Sequence, residues 1–276
     1  LPVTRLLAGR DTGGLEIDNY LDPKIRDLLP DPSIFKDMDK GAARLADAVE
    51  AGTPVGVFGD YDVDGAAAAG LLVNVLGALG LAVDVHIPDR MREGYGPNEA
   101  ALSALQERGA GLIVTVDCGI AAHGPLDKVA QTGMDVIVVD HHLAGPELPR
   151  AHSVINPNRL DEDGAYGHLC AAGVVFILLV ALIRELRRRG AFEGSRQAPD
   201  LMRQLDLVGL ATVCDVVPLR GINRAFVGQG LKMLARRGNI GLACLADVSG
   251  LNTPPSGHTF GFMLGVFCMV GVVFDL

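Results

Sequence analysis

Short apolar runs alternate with longer amphipathic segments through the first part of the chain. The short runs are rich in β-branched residues, which is typical of buried strands. They predict strands at 55–59, 81–87, 111–116, 135–139 and 152–155. The segments that precede or separate these strands predict helices at 40–51, 66–79, 97–108 and 120–132. This alternation indicates an α/β fold in which a parallel sheet is flanked by helices.

The pattern becomes helical after the last predicted strand. Helices are predicted at 171–189 and 200–213, and residues 223–247 also have a helical pattern. We therefore predict three parts: an N-terminal lead-in and helix that pack on the core (1–53), a central α/β domain (54–220) and a helical C-terminal extension (221–276).

Two apolar stretches invite comparison with membrane spans. Residues 173–183 are too short to span and lead into a basic segment that suits the last turn of a buried helix. Residues 260–274 are also shorter than the roughly 18 apolar residues of a spanning helix and are expected to form an exposed apolar tail. Since no secretory signal is recognisable either, we predict no membrane association.

The five cysteines are far apart, with no C-x-x-C pair, at positions 118, 170, 214, 244 and 268. This spacing is typical of reduced, mostly buried thiols and not of a disulfide framework or a zinc site. It favours a cytoplasmic location.

The charge balance is acidic, with 24 Lys and Arg against 33 Asp and Glu and a formal net charge of −9. Proteins that bind nucleic acids take much of their affinity from cationic contacts to phosphates. Aromatic residues make up only 5% of the chain and Trp is absent, which leaves little material for stacking bases. Composition alone therefore does not indicate a polymer-binding protein.

Acids and histidines follow four of the apolar runs. They are Asp60, Asp62 and Asp64; Asp117; Asp140 with His141 and His142; and Asp215. Because the carboxyl ends of parallel strands meet at one edge of a sheet, these side chains should converge there. Two carboxylates about 4 Å apart repel by about 4 kcal/mol near a protein surface, so cations are needed to neutralise such a cluster. Oxygen-rich ligands with an imidazole suit Mn²⁺ or Mg²⁺, and two such ions support phosphoryl transfer.

Each of these residues taken alone has a simpler explanation. An Asp after a strand is usually a helix N-cap or a turn residue, and Gly65 does begin a segment that such an Asp could cap. The histidines could form an ordinary surface pair. Cys118, beside Asp117, could be taken for a nucleophile, but no activating partner is evident. The repetition of the pattern at four positions favours the metal site.

The motifs resemble those of the DHH phosphoesterase superfamily, most closely the bacterial RecJ-type exonucleases specific for single-stranded DNA. The segments that carry the resemblance are Phe58-Gly59-Asp60-Tyr61-Asp62-Val63-Asp64-Gly65, Pro88-Asp89-Arg90 with Glu93-Gly94-Tyr95-Gly96, Thr115-Val116-Asp117-Cys118-Gly119, Asp140-His141-His142 with Ile155-Asn156-Pro157, and Ala211-Thr212-Val213-Cys214-Asp215-Val216-Val217-Pro218-Leu219. The similarity extends from about residue 15 to about residue 265.

The resemblance implies a role for each site residue. The implied metal ligands are Asp62, Asp64, Asp117, His141 and Asp215, with Asp117 bridging two ions, and Asp60 either ligating or orienting a ligand. His142 would face the scissile phosphate as an acid or hydrogen-bond donor, and Asp140 would fix the histidine pair. Arg90 and Asn156 are candidate phosphate contacts, although either could equally be a surface or turn residue.

The resemblance also implies a reaction: hydrolysis of phosphodiesters in single-stranded DNA from a 5′ end, dependent on Mn²⁺ or Mg²⁺ and releasing mononucleotides. The expected partners are the DNA strand and single-strand-binding or recombination proteins. After Gly265 the sequence departs from the family pattern, so we expect the connector to be truncated before a second, substrate-binding domain, with activity impaired. The alternatives are a phosphoesterase for small substrates (short oligonucleotides, nucleotide phosphates, pyrophosphate or polyphosphate) and an inactive fragment or scaffold.

Overall fold

A computed structural model describes residues 20–194 and 196–265, and a five-stranded parallel sheet lies at its centre. The strands are β1 (Val55–Gly59), β2 (Val83–His86), β3 (Leu112–Val116), β4 (Val136–Val139) and β5 (Ser153–Ile155). Their spatial order is β2-β1-β3-β4-β5. The predicted α/β fold with a parallel sheet is therefore confirmed.

Helices cover both faces of the sheet and continue beyond it. They are α1 (Ile25–Leu28), α2 (Met38–Ala51), α3 (Val63–Ala78), α4 (Glu99–Glu107), α5 (His123–Gln131), α6 (Ala171–Arg188), α7 (Leu205–Cys214), α8 (Gly221–Ala235) and α9 (Ile240–Val248). Short 3₁₀ turns lie at Pro32–Ile34 and Leu201–Gln204, and a π-helical turn at Thr259–Leu264.

Alternate residues of each central strand point to opposite faces, and each face has its own core. Val114 and Val116 pack in the larger cluster with α2, α3, α6 and α7, whereas Ile113 packs in a smaller cluster with α4 and α5. Because β1, β3 and β4 are covered on both faces, their residues are all buried and, except for Thr115, none is polar.

Two predicted helices begin at different residues because site residues control their first turns. Helix α3 begins at Val63, three residues earlier than predicted, because the side chain of Asp62 accepts the amides of Asp64 and Gly65. Helix α5 begins at His123, three residues later than predicted; the amide of Ile120 instead donates to Asp140 at 2.9 Å.

The helical pattern predicted over 223–247 corresponds to two helices and not to one. The segment forms α8 and α9, separated by a turn in which Arg237 has a positive φ of 54° and the side chain of Asn239 caps the second helix. The predicted helix 200–213 likewise begins with the 3₁₀ turn, and the side chain of Asp200 accepts the amide of Met202 there.

No helix within the described residues is both long and apolar enough to cross a bilayer. Of the predicted apolar tail, Phe260 and Leu264 are buried against α7 and α9, whereas Phe262 is 72% exposed, so the described part is exposed only in part. Residues 266–274 lie outside the described residues.

Candidate metal centre

The residues that follow β1, β3 and β4 continue the hydrogen-bond ladder of the sheet by one more step. The amide of Asp60 donates to Val116, that of Asp117 to Val139, and that of Asp140 to Ile155, at 3.3, 3.0 and 3.0 Å. Three acids from separate loops therefore lie in a row at the carboxyl edge of the sheet. In this strand order β2 lies on one side of β1, and β3, β4 and β5 lie on the other. The chain therefore changes direction across the sheet at the boundary between β1 and β3, which is where such sheets bind ligands.

The loop after β1 carries Asp60 and Asp62 into this edge. Asp62 accepts the first amides of α3 through one carboxylate oxygen, Oδ1, so the capping role and the metal role are compatible. Gly65 makes the tight loop possible, since a Cβ there would lie 2.5 Å from the carbonyl oxygen of Asp60.

Asp64 lies deeper, on the first turn of α3, and is 1% exposed. Its carboxylate accepts the amides of Ala171 and Ala172 at 2.6 and 2.8 Å. These amides belong to the first turn of α6, whose dipole favours a negative charge. Asp64 is thus fixed by a helix that is more than 100 residues away in sequence.

Asp140 organises the histidine pair. Its Oδ1 accepts the amide of His141 and the ring Nδ1 of His142, both at 2.7 Å. Burial by itself would raise the pKa of Asp140, but the hydrogen bonds from His142 and Ile120 outweigh it and hold that pKa below its ordinary value. The same contact with Asp140 raises the pKa of His142 and favours its protonated form.

His141 points into the acidic cluster. Its imidazole lies beside the backbone of Leu169, and its Nε2 is buried without a hydrogen-bond partner among the described residues. Nε2 lies 3.2 Å from Asp117 Oδ1 and 3.7 Å from Asp215 Oδ2. Burial and the neighbouring His142 lower the pKa of His141, which favours the neutral form that ligates metals.

The predicted ligands form three overlapping groups whose ligand atoms lie within 4.8 Å of one another. The groups are Asp60 with Asp62 and Asp117, Asp64 with His141 and Asp215, and Asp117 with His141 and His142. Asp117 and His141 each belong to two groups, and Asp117 is the residue for which a bridging role was predicted.

Unpaired polar atoms show whether this cluster suits a cation. Both carboxylate oxygens of Asp117 are buried without a hydrogen-bond partner among the described residues, as are one oxygen each of Asp60 and Asp215. Buried polar groups are rarely left unpaired, because each costs about 1–3 kcal/mol. An oxygen-rich cluster with one free imidazole nitrogen therefore fits divalent ions such as Mn²⁺ or Mg²⁺.

Electrostatic strain supports the same conclusion. Burial, followed by the charges of neighbouring acids, raises the pKa of Asp64 and Asp117. Burial also raises the pKa of Asp60 and of Asp215 to about 6. Ionising these carboxyl groups together is energetically costly, and a bound cation would reduce that cost.

The two candidate phosphate contacts occupy different surroundings. Arg90 is exposed, and its guanidinium lies 5.1 Å from the ring centroid of Tyr61, in the loop of Asp60 and Asp62. Asn156 is fully buried; it donates to the carbonyl of His142 at 2.9 Å and accepts the amide of Asn158 at 2.7 Å. The side chain of Asn156 thus supports the histidine pair and does not face the open surface.

Sequence reasoning missed several residues that shape the site. The backbone amides of Ala171 and Ala172 orient Asp64, and a backbone contact leaves no signal in residue identity. Tyr95 lies in one of the motifs but had no predicted role. Its hydroxyl lies 3.2 Å from the carbonyl oxygen of Asp117 and 3.2 Å from Nδ1 of His142.

Cys118 does not act as a nucleophile in this geometry. Its side chain is fully buried, its thiol donates to the carbonyl of Val116, and burial raises the pKa of the thiol well above its usual value. Cys170 is also buried, while Cys244 is exposed, so the expectation of mostly buried thiols holds only in part. Cys268 lies outside the described residues.

Comparison with known proteins identifies the family. A family model described as "DHH family, N-terminal domain" matches residues 54–211, more than half of the chain. The single-stranded-DNA-specific exonuclease RecJ of Bacillus subtilis is 37% identical over 235 residues, which cover 85% of this chain and 28% of the relative. The protein of the same name from Escherichia coli is 37% identical over 265 residues, covering 95% of this chain and 45% of the relative.

A solved structure leads to the same family. A crystal structure of exonuclease RecJ bound to manganese matches with a TM-score of 0.74 and 32% identity over 90% of this chain and 62% of that one. The chain spans less than half the length of the two curated relatives. The resemblance inferred from the motifs is confirmed: the chain belongs to the DHH family.

Proposed function

We propose that the chain hydrolyses phosphodiester bonds of single-stranded DNA from a 5′ end and releases mononucleotides, with two Mn²⁺ or Mg²⁺ ions. The observation that carries the proposal is the set of buried, unpartnered ligand atoms on Asp117 and His141, which lie between two groups of acids. The names of the relatives supply the substrate class, and the manganese in the matched RecJ structure supports the choice of ion.

The ligands divide between two ions. Asp60, Asp62 and Asp117 would hold one, and Asp64, His141 and Asp215 the other, with Asp117 bridging. Bound there, two ions supply an activated water and stabilise the leaving oxygen of a phosphoryl transfer. The α6 amides keep Asp64 in place, and the free Nε2 of His141 is directed at Asp117 and Asp215.

His142 is the candidate proton donor. It is partly exposed, its pKa is raised by its hydrogen bond to Asp140, and it lies beside the acids that would bind metal. A protonated imidazole in this position can donate a hydrogen bond to the scissile phosphate or a proton to the leaving oxygen. Asp140 would hold the ring and stabilise its charge.

The mouth of the site offers a cation for the substrate. The guanidinium of Arg90 is exposed above Tyr61, where a backbone phosphate could reach it, and we retain it as a phosphate contact. For Asn156 we propose a supporting role through the carbonyl of His142, in place of a direct phosphate contact. The division into 1–53, 54–220 and 221–276, the cytoplasmic location, and single-strand-binding or recombination proteins as partners stay predictions.

A labelled-strand assay tests the proposal. The purified chain is incubated with Mn²⁺ and a single strand labelled at its 5′ end, with a duplex, a dinucleotide and the Asp117→Asn variant in parallel. Release of labelled mononucleotide from the single strand by the parent alone supports the proposal. No shortening of any strand by a parent that binds Mn²⁺ would refute it.

The formal charge of −9 favours one competing function, a phosphoesterase for small substrates. Such an enzyme does not need the many cationic contacts that hold a polymer. Faster cleavage of the dinucleotide than of the long strand would establish this alternative, and the reverse order would remove it.

A further inference from the structure

The connection from β5 to α6 touches proposed ligands from two different loops. Where it enters α6, the amides of Ala171 and Ala172 donate to Asp64, and just before that the backbone of Leu169 lies beside the imidazole of His141. We call residues 167–172 the bracing segment. It contacts the carboxylate of Asp64 and the imidazole of His141, which are 77 residues apart in the sequence.

Two asparagines in turn hold the bracing segment at its first two carbonyls. Asn158 Nδ2 donates to Gly167 at 3.1 Å and also to the carbonyl of His141 at 2.5 Å. It therefore joins the segment to the loop of the histidine pair.

Asn223 makes the corresponding connection on the other side. Its Nδ2 donates to the carbonyl of His168 at 2.6 Å and to that of Pro218 at 3.1 Å. Pro218 follows Asp215 by three residues, so Asn223 joins the bracing segment to the loop of a third proposed ligand.

Stability alone does not explain an asparagine at position 223. The side chain is completely buried, and its Oδ1 has no hydrogen-bond partner among the described residues. An unpaired buried acceptor destabilises the folded state, and such a group in a native structure calls for an explanation. The two carbonyl contacts supply one, because they fix the relative position of two loops of the site.

We propose that Asn158 and Asn223 are positioning residues that, through the bracing segment, hold Asp64, His141 and Asp215 in place for divalent metal ions. The inference rests on the proposed metal-dependent function. Groups that orient metal ligands are often as important for affinity as the ligands themselves, and their loss typically weakens metal binding by about 10–100-fold.

Gly167 offers a way to test the brace without removing a polar group. A Cβ on this residue would lie 2.3 Å from Oδ1 of Asn158. Since two hydrogen bonds restrain Asn158, the Gly167→Ala substitution should displace it from both carbonyls. The backbone of Gly167 does not have a positive φ, so alanine introduces no strain of its own there.

The test is a Mn²⁺ titration, in which free Mn²⁺ is measured by electron paramagnetic resonance. The samples are the full chain, Asn158→Ala, Asn223→Ala, Asn223→Leu and Gly167→Ala, with Asn239→Ala as the control. The Asn239→Ala substitution also removes a side-chain hydrogen bond to the backbone. Asn239 caps α9, however, and belongs to none of the three metal-ligand groups. We expect Kd to rise by about 10–100-fold in the four site variants and to stay unchanged in the control.

Hydrogen exchange without metal gives a second readout. The amides of Ala171 and Ala172 should exchange faster in the site variants than in the parent, because Asp64 and the bracing segment are no longer held together. Asn223→Leu keeps the number and branching of the side-chain heavy atoms. It and Gly167→Ala provide the test if Asn223→Ala does not fold.

The outcomes separate this inference from the proposed function. A parent that binds Mn²⁺, with folded site variants whose Kd and exchange rates match it, would overturn the positioning role alone. A parent that binds no Mn²⁺ would overturn the proposed function and this inference together.

Discussion

Two groups of charged side chains in this protein are arranged in opposite ways. In the metal centre, Asp117 is 1% exposed and neither of its oxygens has a partner within the described residues. On the surface where α6 ends, Glu185 accepts hydrogen bonds from Arg188 and Arg189, each at 2.7 Å. Arg189 also reaches Asp47 at 2.7 Å.

The pKa values reflect this contrast. The arginines lower the pKa of Glu185 to about 2, whereas burial raises the pKa of Asp60 and of Asp215 to about 6. The surface network contains its own counter-charges. The proposed metal centre has only His142 as a counter-charge to its acids, and both oxygens of Asp117 stay unpaired within the described residues, so a divalent cation would satisfy them.

Substitution of Asp117 should have the largest effect. Asp117→Asn removes the proposed bridging carboxylate while keeping its shape, and turnover should fall by more than about 100-fold, beyond the typical loss of a residue that only orients a ligand. Without metal, the free energy of unfolding of the variant should be about 1 kcal/mol higher than that of the parent, because one source of carboxylate repulsion is gone. Initial rates with Mn²⁺ and urea unfolding with a chelator measure the two effects, and near-normal turnover would refute the site assignment.

His142 should separate chemistry from metal binding. In His142→Asn the proposed proton donor is lost but the acids and His141 remain, so we expect turnover to fall by about 10²–10⁴-fold with a Mn²⁺ Kd close to that of the parent. Initial rates and metal titration are measured on the same preparation. A parallel loss of metal affinity would assign His142 as a ligand, consistent with its place in one of the three groups.

The pH dependence of stability should differ in sign between metal-free and metal-bound protein. The pKa values of Asp60 and Asp215 are raised from 3.8 to about 6 on folding. Between these values the folded state binds more protons than the unfolded state. The free energy of unfolding without metal should therefore fall as pH rises from about 4 to 6, by about 3 kcal/mol or less.

Saturating Mn²⁺ should reverse that trend, because metal competes with protons for the same oxygens. Urea unfolding at several pH values, with a chelator and with Mn²⁺, measures both slopes. Equal slopes in the two series would mean that the raised pKa values do not belong to a metal site.

The smallest effect is expected at the surface network. Glu185→Gln should lower the free energy of unfolding at pH 7 by about 1 kcal/mol or less, since exposed ion pairs contribute little. The folded pKa of Glu185 is depressed from 4.5 to about 2, so this contribution is complete above about pH 4.5 and is lost as pH falls towards 2. Urea unfolding at pH 7 and pH 2.5, with and without Mn²⁺, tests this: the difference between variant and parent should shrink at low pH and be insensitive to metal at pH 7.

The sheet and the convergence of the acids and histidines at its edge could be predicted because their signals are local. Apolar runs mark the strands, and the acids that follow them stand within a few residues of each strand end. The bracing segment could not be predicted in this way. Its contacts to Asp64 and His141 come from backbone atoms, and its restraint by Asn223 joins residues 55 positions apart in the sequence.

The break between α8 and α9 is a different kind of miss. Gly238 and Asn239 are ordinary signs of a helix end and a helix cap, but the apolar periodicity continues on both sides of them. At Asn156 the family resemblance implied a phosphate contact, but the side chain is buried, and its burial depends on how β5 packs beside β4.

The most direct test of the central claim is the number of Mn²⁺ ions bound per chain, determined by equilibrium titration of the parent and of Asp117→Asn near neutral pH. The proposed centre requires two ions in the parent and a large loss of affinity in the variant. A parent that binds no Mn²⁺, or a variant that binds as the parent does, would contradict it.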